Sequence, residues 1–381
     1  MDHLSQLATI ETPAVLLDLA KLESNLESMQ RLADEHHLAL RPHAKTHKSI
    51  ELGRRQLALG ASGLTVATVG EALVFLRHGI RSITISRPVV TPRSLDRLLL
   101  DPESSGADLR VVVDSPTGIQ VAADTTARTE VELGVFIKID VGLHRCGVDP
   151  ASAAPVELAW QIISAPGLDF RGILSHAGQV YAVESRHAAV EMAEAERETM
   201  LQVRDRLIEH DIAVPEISVG ATPTILAAPG FAGITEIRPG NYAFLDLLPI
   251  KVGVVTNEAV SLSVLATVIS KNADFFITDA GSKTLTSDTG GHGMASAPGF
   301  GVAYPCAHYL SPTHGMVVTG LSEEHGKLAR ASFDLPIGAQ VRIIPNHSCP
   351  VANLAREYVV LADDRIESWP IDAASNAGYA A

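Results

Sequence analysis

The segment LRPHAKTHKS, residues 40–49, places two lysines and two histidines directly after an apolar run. A lysine held in a buried pocket beside His43 and His47 would have a lowered pKa, which suits it to attack a carbonyl and form an imine. Positive charge is unfavourable at the start of a helix because of the helix dipole, so solvation alone explains the cluster poorly. Lys45 and Lys48 are therefore candidate nucleophiles. The alternative at this point is a pair of solvated lysines at a helix start.

Two glycine-containing turns are candidates for an anion site. SVGATPT (218–224) and RPGNY (238–242) each follow a β-rich run, and they contain Thr222, Gly240 and Asn241. Small residues at strand ends let backbone N–H groups approach an anion, and the threonine adds a hydroxyl. The two turns together predict a phosphate site, which opposite a strand-end lysine fits a pyridoxal-phosphate arrangement. The alternative is two ordinary turns in which glycine and proline end a strand.

His347 and Cys349 form an H-x-C pair on or just past the predicted strand VRIIP. If the backbone there is extended, the two side chains project to the same side, so an imidazole and a thiolate can share one metal. Two protein ligands leave positions open for water or a substrate hydroxyl. Zinc is the expected metal because thiolate is a soft ligand, with Co(II) and Mn(II) as alternatives. Taken alone, such a pair is usually unrelated to metal.

The elements that position these residues are predicted from hydrophobic patterning. β-rich runs alternate with amphipathic stretches as far as residue 250, which is typical of βα units around a parallel sheet. Nine strands are predicted, at 13–17, 38–42, 63–67, 82–86, 109–113, 135–140, 171–175, 216–219 and 234–238, and helices at 19–36, 47–59, 69–78, 91–100, 151–165 and 184–210. Eight of the strands would close a (β/α)8 barrel, whose active site lies at the C-terminal strand ends. His176 ends one of these strands and is expected near that site, with a buried core histidine as the alternative.

Beyond residue 250 the pattern changes. β-branched runs are separated by Gly, Pro, Asn and Asp, without long helical segments between them. This is typical of a mostly β domain. The predicted fold is thus an α/β barrel followed by a mostly β C-terminal domain, with no long linker between the two.

Composition excludes several classes of function. The formal net charge of −14 and the pI near 5.5 argue against non-specific nucleic-acid binding, which requires a basic surface. No apolar run reaches the roughly 18 residues of a membrane helix, and the first residues lack a secretory pattern, so a cytoplasmic protein is expected. Three widely separated cysteines make a poor disulfide framework, and Cys146 and Cys306 are interpreted as structural.

The ordered set of motifs resembles a known family. RPHAKTHK, KIDVGLHRCGV, HAGQVY, SVGATPT, TEIRPGNYAFLD and the ending PNHSC together are similar to the D-threonine aldolase and D-serine dehydratase family. Its members are pyridoxal-phosphate enzymes with an alanine racemase-like barrel, known as fold type III. The resemblance runs through nearly the whole chain.

The resemblance implies roles for individual residues. Lys45 carries the pyridoxal 5'-phosphate imine; Thr222, Gly240 and Asn241 contact the phosphate; Arg145 and Tyr181 lie near the pyridine ring. It also implies a barrel domain at 18–250 and a β domain at 251–381 that residues 1–17 join, and a homodimer with the site where one subunit's barrel meets the other's β domain. Asp279 would help to shape the partner-side wall. The glycine-rich segment 289–301 is either a mobile loop at the entrance or solvent-exposed filler.

The implied activity is a lyase reaction on a small D-β-hydroxy amino acid such as D-serine, D-threonine or 3-hydroxyaspartate. Loss of the β-hydroxyl would give a keto acid and ammonia. This dehydratase reaction is favoured by resemblance, because dehydratase members have HAG followed by a tyrosine and an H-x-C metal pair, whereas aldolase members more often carry an aspartate as the second ligand. Cleavage of the Cα–Cβ bond, as in D-threonine aldolases, is the alternative, since the continuation CPVANL resembles those enzymes. A non-catalytic pyridoxal-phosphate carrier is the alternative of another class.

Overall fold

A computed structural model of the protein describes residues 3–291, 298–363 and 365–374. Eight parallel strands form one sheet in the first part of the chain, close to the predicted positions. They are β2 (Ala39–Leu40), β3 (Leu64–Val66), β4 (Ser82–Ile85), β5 (Asp108–Val113), β6 (Leu133–Lys138), β7 (Leu168–Leu174), β8 (Glu216–Val219) and β9 (Glu236–Ile237). Their order in the sheet is β2-β9-β8-β7-β6-β5-β4-β3. An isolated parallel bridge between His43 and Thr65 links the chain after β2 to β3.

Helices follow most of these strands. The helices of the described residues are α1 (His3–Leu7), α2 (Leu19–Glu35), α3 (Ile50–Leu59), α4 (Val69–Arg77), α5 (Pro92–Leu99), α6 (Pro116–Thr129), α7 (Ala154–Ser164), α8 (Arg186–Glu209), α9 (Thr222–Ala227), α10 (Leu247–Val252), α11 (Ser282–Leu285) and α12 (Ser348–Leu354). Five of the six predicted helices agree closely with α2, α4, α5, α7 and α8. In the part of the chain that the structure describes, none of these helices combines the length and the apolarity that crossing a bilayer requires.

Helix α6 was not predicted from the sequence. Its residues PTGIQVAADTTART include four threonines and a glycine, which have low helix propensity. The local signals for its start are nevertheless present: Ser115 accepts a hydrogen bond from the N–H of Gly118, and proline occupies the first turn. Packing against α5 and α7 in the layer outside the sheet supports a segment whose own propensity is weak.

A second sheet has nine strands and is mostly antiparallel. Its strands are β1 (Ala14–Asp18), β10 (Leu262–Lys271), β11 (Phe275–Thr278), β12 (Gly301–Pro305), β13 (Met316–Leu321), β14 (Gly326–Ala329), β15 (Gln340–Pro345), β16 (Glu357–Leu361) and β17 (Ile366–Pro370). The earliest strand, β1, pairs with β10 and β16 and not with the parallel sheet. The predicted loop at 289–301 includes residues 292–297, which lie outside the described residues.

The parallel sheet is buried on both faces, which explains its sequence. Every residue of β6, LGVFIK, is buried, and so are five of the six residues of β5. Strands covered on both sides are apolar runs and do not alternate.

Candidate active site

One cavity of about 440 Å³ lies where the turns after the parallel strands meet the start of α12. Its lining includes every site residue predicted from the sequence: Lys45, Arg145, His176, Tyr181, Thr222, Gly240, Asn241, His347 and Cys349. These residues come from six separate segments of the chain. The structure therefore brings the predicted residues together, and their individual roles remain predictions.

The turn that carries Lys45 joins β2 to α3. Side chains from the C-terminal, mostly β part of the chain contact this turn. The Tyr358 hydroxyl donates to the carbonyl of His47 at 2.6 Å, and Cys349 Sγ lies 3.4 Å from Thr46 Oγ1. Helix α3 begins at Ile50, three residues later than predicted, and Lys48 has a left-handed backbone with φ of 51°. The two lysines therefore precede the helix and lie in a turn of defined shape.

Lys45 is a partly exposed residue of the cavity whose surroundings lower the pKa of its amine. Burial is the largest cause that lowers its pKa below the ordinary value, and the nearby Arg145 and Arg238 lower it further. Cys349 and Glu71 act in the opposite direction without cancelling the effect. A neutral primary amine is a nucleophile and a base, so the position suits both imine chemistry and proton removal.

Two other basic residues of the opening segment, His43 and Lys48, have different surroundings. Burial, together with Lys45 and Arg238, holds the pKa of His43 well below its usual range, and its Nε2 lies 2.9 Å from Ser86 Oγ. Lys48 Nζ instead donates to Asn353 Oδ1 at 2.6 Å and pairs with Glu71 at 3.3 Å. Lys48 is thus an ion-paired residue of the cavity wall, whereas Lys45 is a lysine whose pKa is lowered by burial.

The two predicted anion-binding turns pack against each other. The N–H of Tyr242 donates to Thr222 Oγ1 at 3.1 Å. A Cβ at Gly240 would lie 2.7 Å from Thr46 Oγ1, so this position accepts only glycine without a shift of the Lys45 turn. The Tyr181 hydroxyl hydrogen bonds with Thr222 and Asn241, and burial raises the pKa of Tyr181 well above its ordinary value. The phenol is therefore neutral and available as a donor.

The His347 and Cys349 side chains hydrogen bond to each other. The backbone differs from the extended one assumed from the sequence, because His347 is the N-cap of α12 and Cys349 lies in its first turn. Burial opposes both charged forms, yet the pair raises the pKa of His347 to about 10 and lowers the pKa of Cys349. A nitrogen and a sulfur donor thus converge on one point, which fits a shared metal.

The surroundings of the pair are consistent with two protein ligands. Among the described residues, no group of three or more His, Cys, Asp or Glu side chains could hold a metal. His347 Nδ1 contacts Asp288 Oδ2 at 3.2 Å, which leaves Nε2 as the ring nitrogen available to an ion. A carboxylate behind a histidine is a common outer contact of metal-binding imidazoles.

Arg238 is the most conspicuous cavity residue that the sequence analysis missed. It is 4% exposed, its Nε donates to Ser218 Oγ at 2.7 Å, and burial lowers its pKa to about 10. Its guanidinium also donates to the carbonyls of Ser218 and Ser175. Ser175 precedes His176, whose Nδ1 contacts the carbonyl of Gly220. The signal in the sequence was present, since an arginine that directly follows a buried parallel strand faces the strand-end cavity.

Comparison with known proteins agrees with this arrangement. The profile of the alanine racemase N-terminal domain matches residues 17–247, and that of a putative serine dehydratase domain matches residues 261–361. The chain is 36% identical over 375 residues to the D-threo-3-hydroxyaspartate dehydratase of Delftia sp. (strain HT23), covering 95% of this chain and 97% of that one. The chain belongs to the D-serine dehydratase and D-threonine aldolase family. The resemblance predicted from the motifs is thereby confirmed.

Other members of the family are similar over the same length. The D-threonine aldolase of Arthrobacter sp. is 35% identical over 378 residues, which is 96% of this chain and 93% of that protein. The solved structure of the Delftia dehydratase has a TM-score of 0.89 at 34% identity and covers 96% of this chain and 98% of that chain. Another structure of the same dehydratase is a cysteine-to-alanine mutant in the metal-free form, with a TM-score of 0.88, 34% identity and coverage of 96% and 98%. The alanine racemase-like fold, with its mostly β C-terminal part, is thus the fold of this chain.

Proposed function

We propose that this chain is a pyridoxal-phosphate- and metal-dependent lyase that converts a D-β-hydroxy amino acid into a keto acid and ammonia. The observation that carries the proposal is that Lys45 and the His347–Cys349 pair line one cavity and shift each other's pKa. A base and a metal site so placed can act on adjacent carbons of one small substrate. The relatives named above are dehydratases and aldolases of such substrates, and the chain is a lyase of this family.

The residues of the cavity fit the cofactor. Bound pyridoxal phosphate supplies an electron sink that stabilises negative charge at the substrate Cα. Thr222, Gly240 and Asn241 are proposed to hold its phosphate, because their turns supply two hydrogen-bonding side chains and a position without a side chain. Arg145, His176 and Tyr181 are proposed to border its ring. Lys45, whose pKa is lowered by burial, would attach the cofactor and accept the Cα proton of the substrate.

His347 and Cys349 are proposed to hold a divalent metal. Zinc is favoured because thiolate is a soft ligand, and Mn(II) or Co(II) are the alternatives. Such an ion would act as a Lewis acid for the departing β-hydroxyl. The metal-free form of a cysteine mutant of the Delftia dehydratase supports a metal in the family.

The aldolase reaction is the second candidate, because the Arthrobacter aldolase is similar to almost the same degree as the dehydratase. Aldol cleavage would require a base for the β-hydroxyl proton in place of removal of the Cα proton. Both reactions use the same cofactor and metal, so neither ligand distinguishes them. The cavity favours the dehydratase because Lys45, the proposed base, lies close to Cys349, a proposed metal ligand.

Product analysis tests the proposal. The protein is incubated with pyridoxal 5'-phosphate, Zn²⁺ and D-threonine, and the products are assayed as 2-ketobutyrate plus ammonia against glycine plus acetaldehyde. We expect keto acid, loss of activity with a chelator and recovery with added metal. Formation of glycine and acetaldehyde would instead establish the aldolase reaction. No product from D-threonine, D-serine or 3-hydroxyaspartate would overturn the lyase proposal and favour a carrier.

We also propose that the eight parallel strands form a closed (β/α)8 barrel. Its support is that the N–H of Ala44 donates to the carbonyl of Thr65, and the N–H of Thr65 to the carbonyl of Pro42, which joins the two ends of the strand order. A barrel domain at 18–250 and a β domain at 251–381 with residues 1–17 follow from the two separate sheets. A homodimer in which a second subunit completes the cavity wall rests on the family alone.

A further inference from the structure

Asp246 is a fully buried carboxylic acid residue. It belongs neither to the residues proposed to bind the cofactor nor to those proposed to bind the metal. It is 0% exposed and lies directly before α10. Its Oδ1 accepts from the N–H of Leu248 at 3.1 Å, and its Oδ2 accepts from Asn241 Nδ2 at 2.8 Å and from the N–H of Ser348 at 2.7 Å. One carboxylate oxygen is therefore shared by two donors from distant parts of the chain.

The two donors belong to the two different binding turns. Asn241 lies in the turn proposed to hold the cofactor phosphate, and Ser348 lies between the two proposed metal ligands. A second contact joins the same residues, because Ser348 Oγ donates to Asn241 Oδ1 at 3.2 Å. Asn241 is 4% exposed and Ser348 0%. Burial raises the pKa of Asp246, and the hydrogen bonds from Ser348, Asn241 and Leu248 oppose that shift. Buried hydrogen bonds that converge on one carboxyl are directional, so a displacement of either turn disturbs the contacts of the other.

The backbone before Asp246 is also unusual. Leu245 has a φ of 56°, which is uncommon for a residue with a branched apolar side chain, and its N–H donates to the carbonyl of Asn241 at 2.7 Å. This left-handed residue turns the chain back after Asn241 and sets Asp246 beside it. A conformation that costs energy persists when the surrounding structure requires it, which is consistent with a functional constraint on the position of Asp246.

We infer that Asp246 is a positioning residue that couples cofactor binding to metal binding. When the phosphate orders Asn241, the shared carboxylate orders the N–H of Ser348 and, with it, the turn that presents His347 and Cys349. Each ligand then binds to a protein that the other has already ordered, so each strengthens the other. The inference rests on the proposed function, since it requires that both ligands bind.

A coupling between the two sites must be reciprocal. If metal tightens cofactor binding by some factor, cofactor tightens metal binding by the same factor. Such factors are commonly about 5- to 150-fold. The charges of Lys45 and Cys349 offer a competing route for coupling, because each shifts the pKa of the other without Asp246. The experiment must therefore separate the carboxylate from that pair.

The test uses binding and not activity. Pyridoxal 5'-phosphate is titrated by its visible absorbance with saturating Zn²⁺ and with chelator, and Zn²⁺ is titrated with and without the cofactor. In the wild-type protein we expect both affinities to improve by the same factor. In Asp246→Ala, which removes all three acceptor contacts, the factor should fall towards one. In Ser348→Ala, which removes only the link to Asn241 Oδ1, it should fall partly.

Asp18→Ala is the matched control, because Asp18 caps α2 by accepting from the N–H of Lys21, as Asp246 caps α10. This variant loses a helix cap outside the cavity and should keep the wild-type factor. The inference is overturned if cofactor and metal do not change each other's affinity in the wild-type protein, which is a coupling factor of one. The inference is also overturned if Asp246→Ala or Ser348→Ala folds and keeps the wild-type coupling factor. The Lys45–Cys349 pair would then carry the coupling. Absence of cofactor or zinc binding in the wild type appears directly in the titrations and overturns the proposed function as well.

Discussion

At the scale of the residue, two neighbouring lysines have different surroundings. Lys45 is surrounded by Arg145 and Arg238 and has a lowered pKa, whereas Lys48 is paired with Glu71. We predict that Lys45→Ala abolishes the visible absorbance of the bound cofactor and lowers turnover by at least about 10²–10⁴-fold, as expected when a catalytic base is lost. Lys48→Ala is the matched variant and should retain the absorbance. The opposite pattern in absorption spectra would assign the chemistry to Lys48.

His47 gives a pH dependence of stability with a defined sign. Burial lowers its pKa from 6.5 to about 4 although Gln56 and the N–H of Ser49 contact the ring. Between these two pH values the unfolded chain binds a proton that the folded chain does not, so the stabilisation is complete above pH 6.5 and is lost as the pH falls towards 4. We expect about 3 kcal/mol of unfolding free energy to disappear over this window through His47.

Denaturant unfolding of the cofactor-free protein across the window measures this loss. His47→Gln should flatten the dependence of unfolding free energy on pH, while His210→Gln, an exposed histidine at the end of α8, should leave it unchanged. Equal slopes in the wild type and His47→Gln would mean that other groups carry the acid sensitivity. Buried His43 acts in the same direction, as do Asp108 and Asp140, whose pKa values are lowered, so part of the slope should remain.

At the scale of the element, strand β7 depends on a glycine next to an irregularity. The register of β7 against β6 shifts around Arg171, and Gly172 follows with a φ of 134°. A Cβ on Gly172 would lie 1.9 Å from the carbonyl oxygen of Glu216 on β8. We predict that Gly172→Ala lowers the free energy of unfolding by at least about 3 kcal/mol, because overpacking and backbone strain add.

Gly230→Ala is the control for this strand, since a Cβ at Gly230 meets no atom within 4 Å. It should change the free energy of unfolding by less than about 0.5 kcal/mol. Thermal or denaturant unfolding of both variants makes the comparison. Similar stability of the two would show that β7 and β8 can separate slightly at low cost, and the site behind them would then be less rigid than the structure implies.

At the scale of the whole molecule, one chain supplies both halves of the site. Thr46, next to Lys45, contacts Cys349 of the same chain. We predict that mixing Lys45→Ala subunits with Cys349→Ala subunits restores no activity, because neither chain contains both residues. Pairing of Lys45 with a partner's Cys349 would instead restore about a quarter of wild-type activity in randomly mixed dimers. Refolded mixtures assayed for product, with sedimentation to establish the oligomer, distinguish the two cases.

The sequence by itself determined most of the elements and singled out the candidate site residues of this protein. Strand positions followed from apolar runs, and Lys45, Thr222, Asn241, His347 and Cys349 stood out because each follows a strand in a segment of small or polar residues. Ordered motifs also identified the family. These features are local in the chain, and local patterns of hydrophobicity and turn residues suffice to predict them.

Only the tertiary structure decided which residues surround that chemistry. Arg238, Asp246 and Asp288 act through contacts with residues distant in the chain, and helix α6 persists through packing against its neighbours and not through its own propensity. The early strand β1 pairs with β10 and β16, more than 200 residues later, as the family resemblance implied, although no local pattern specifies that pairing. Side chains that are remote in sequence become neighbours only when the sheets form, so no local pattern specifies these contacts.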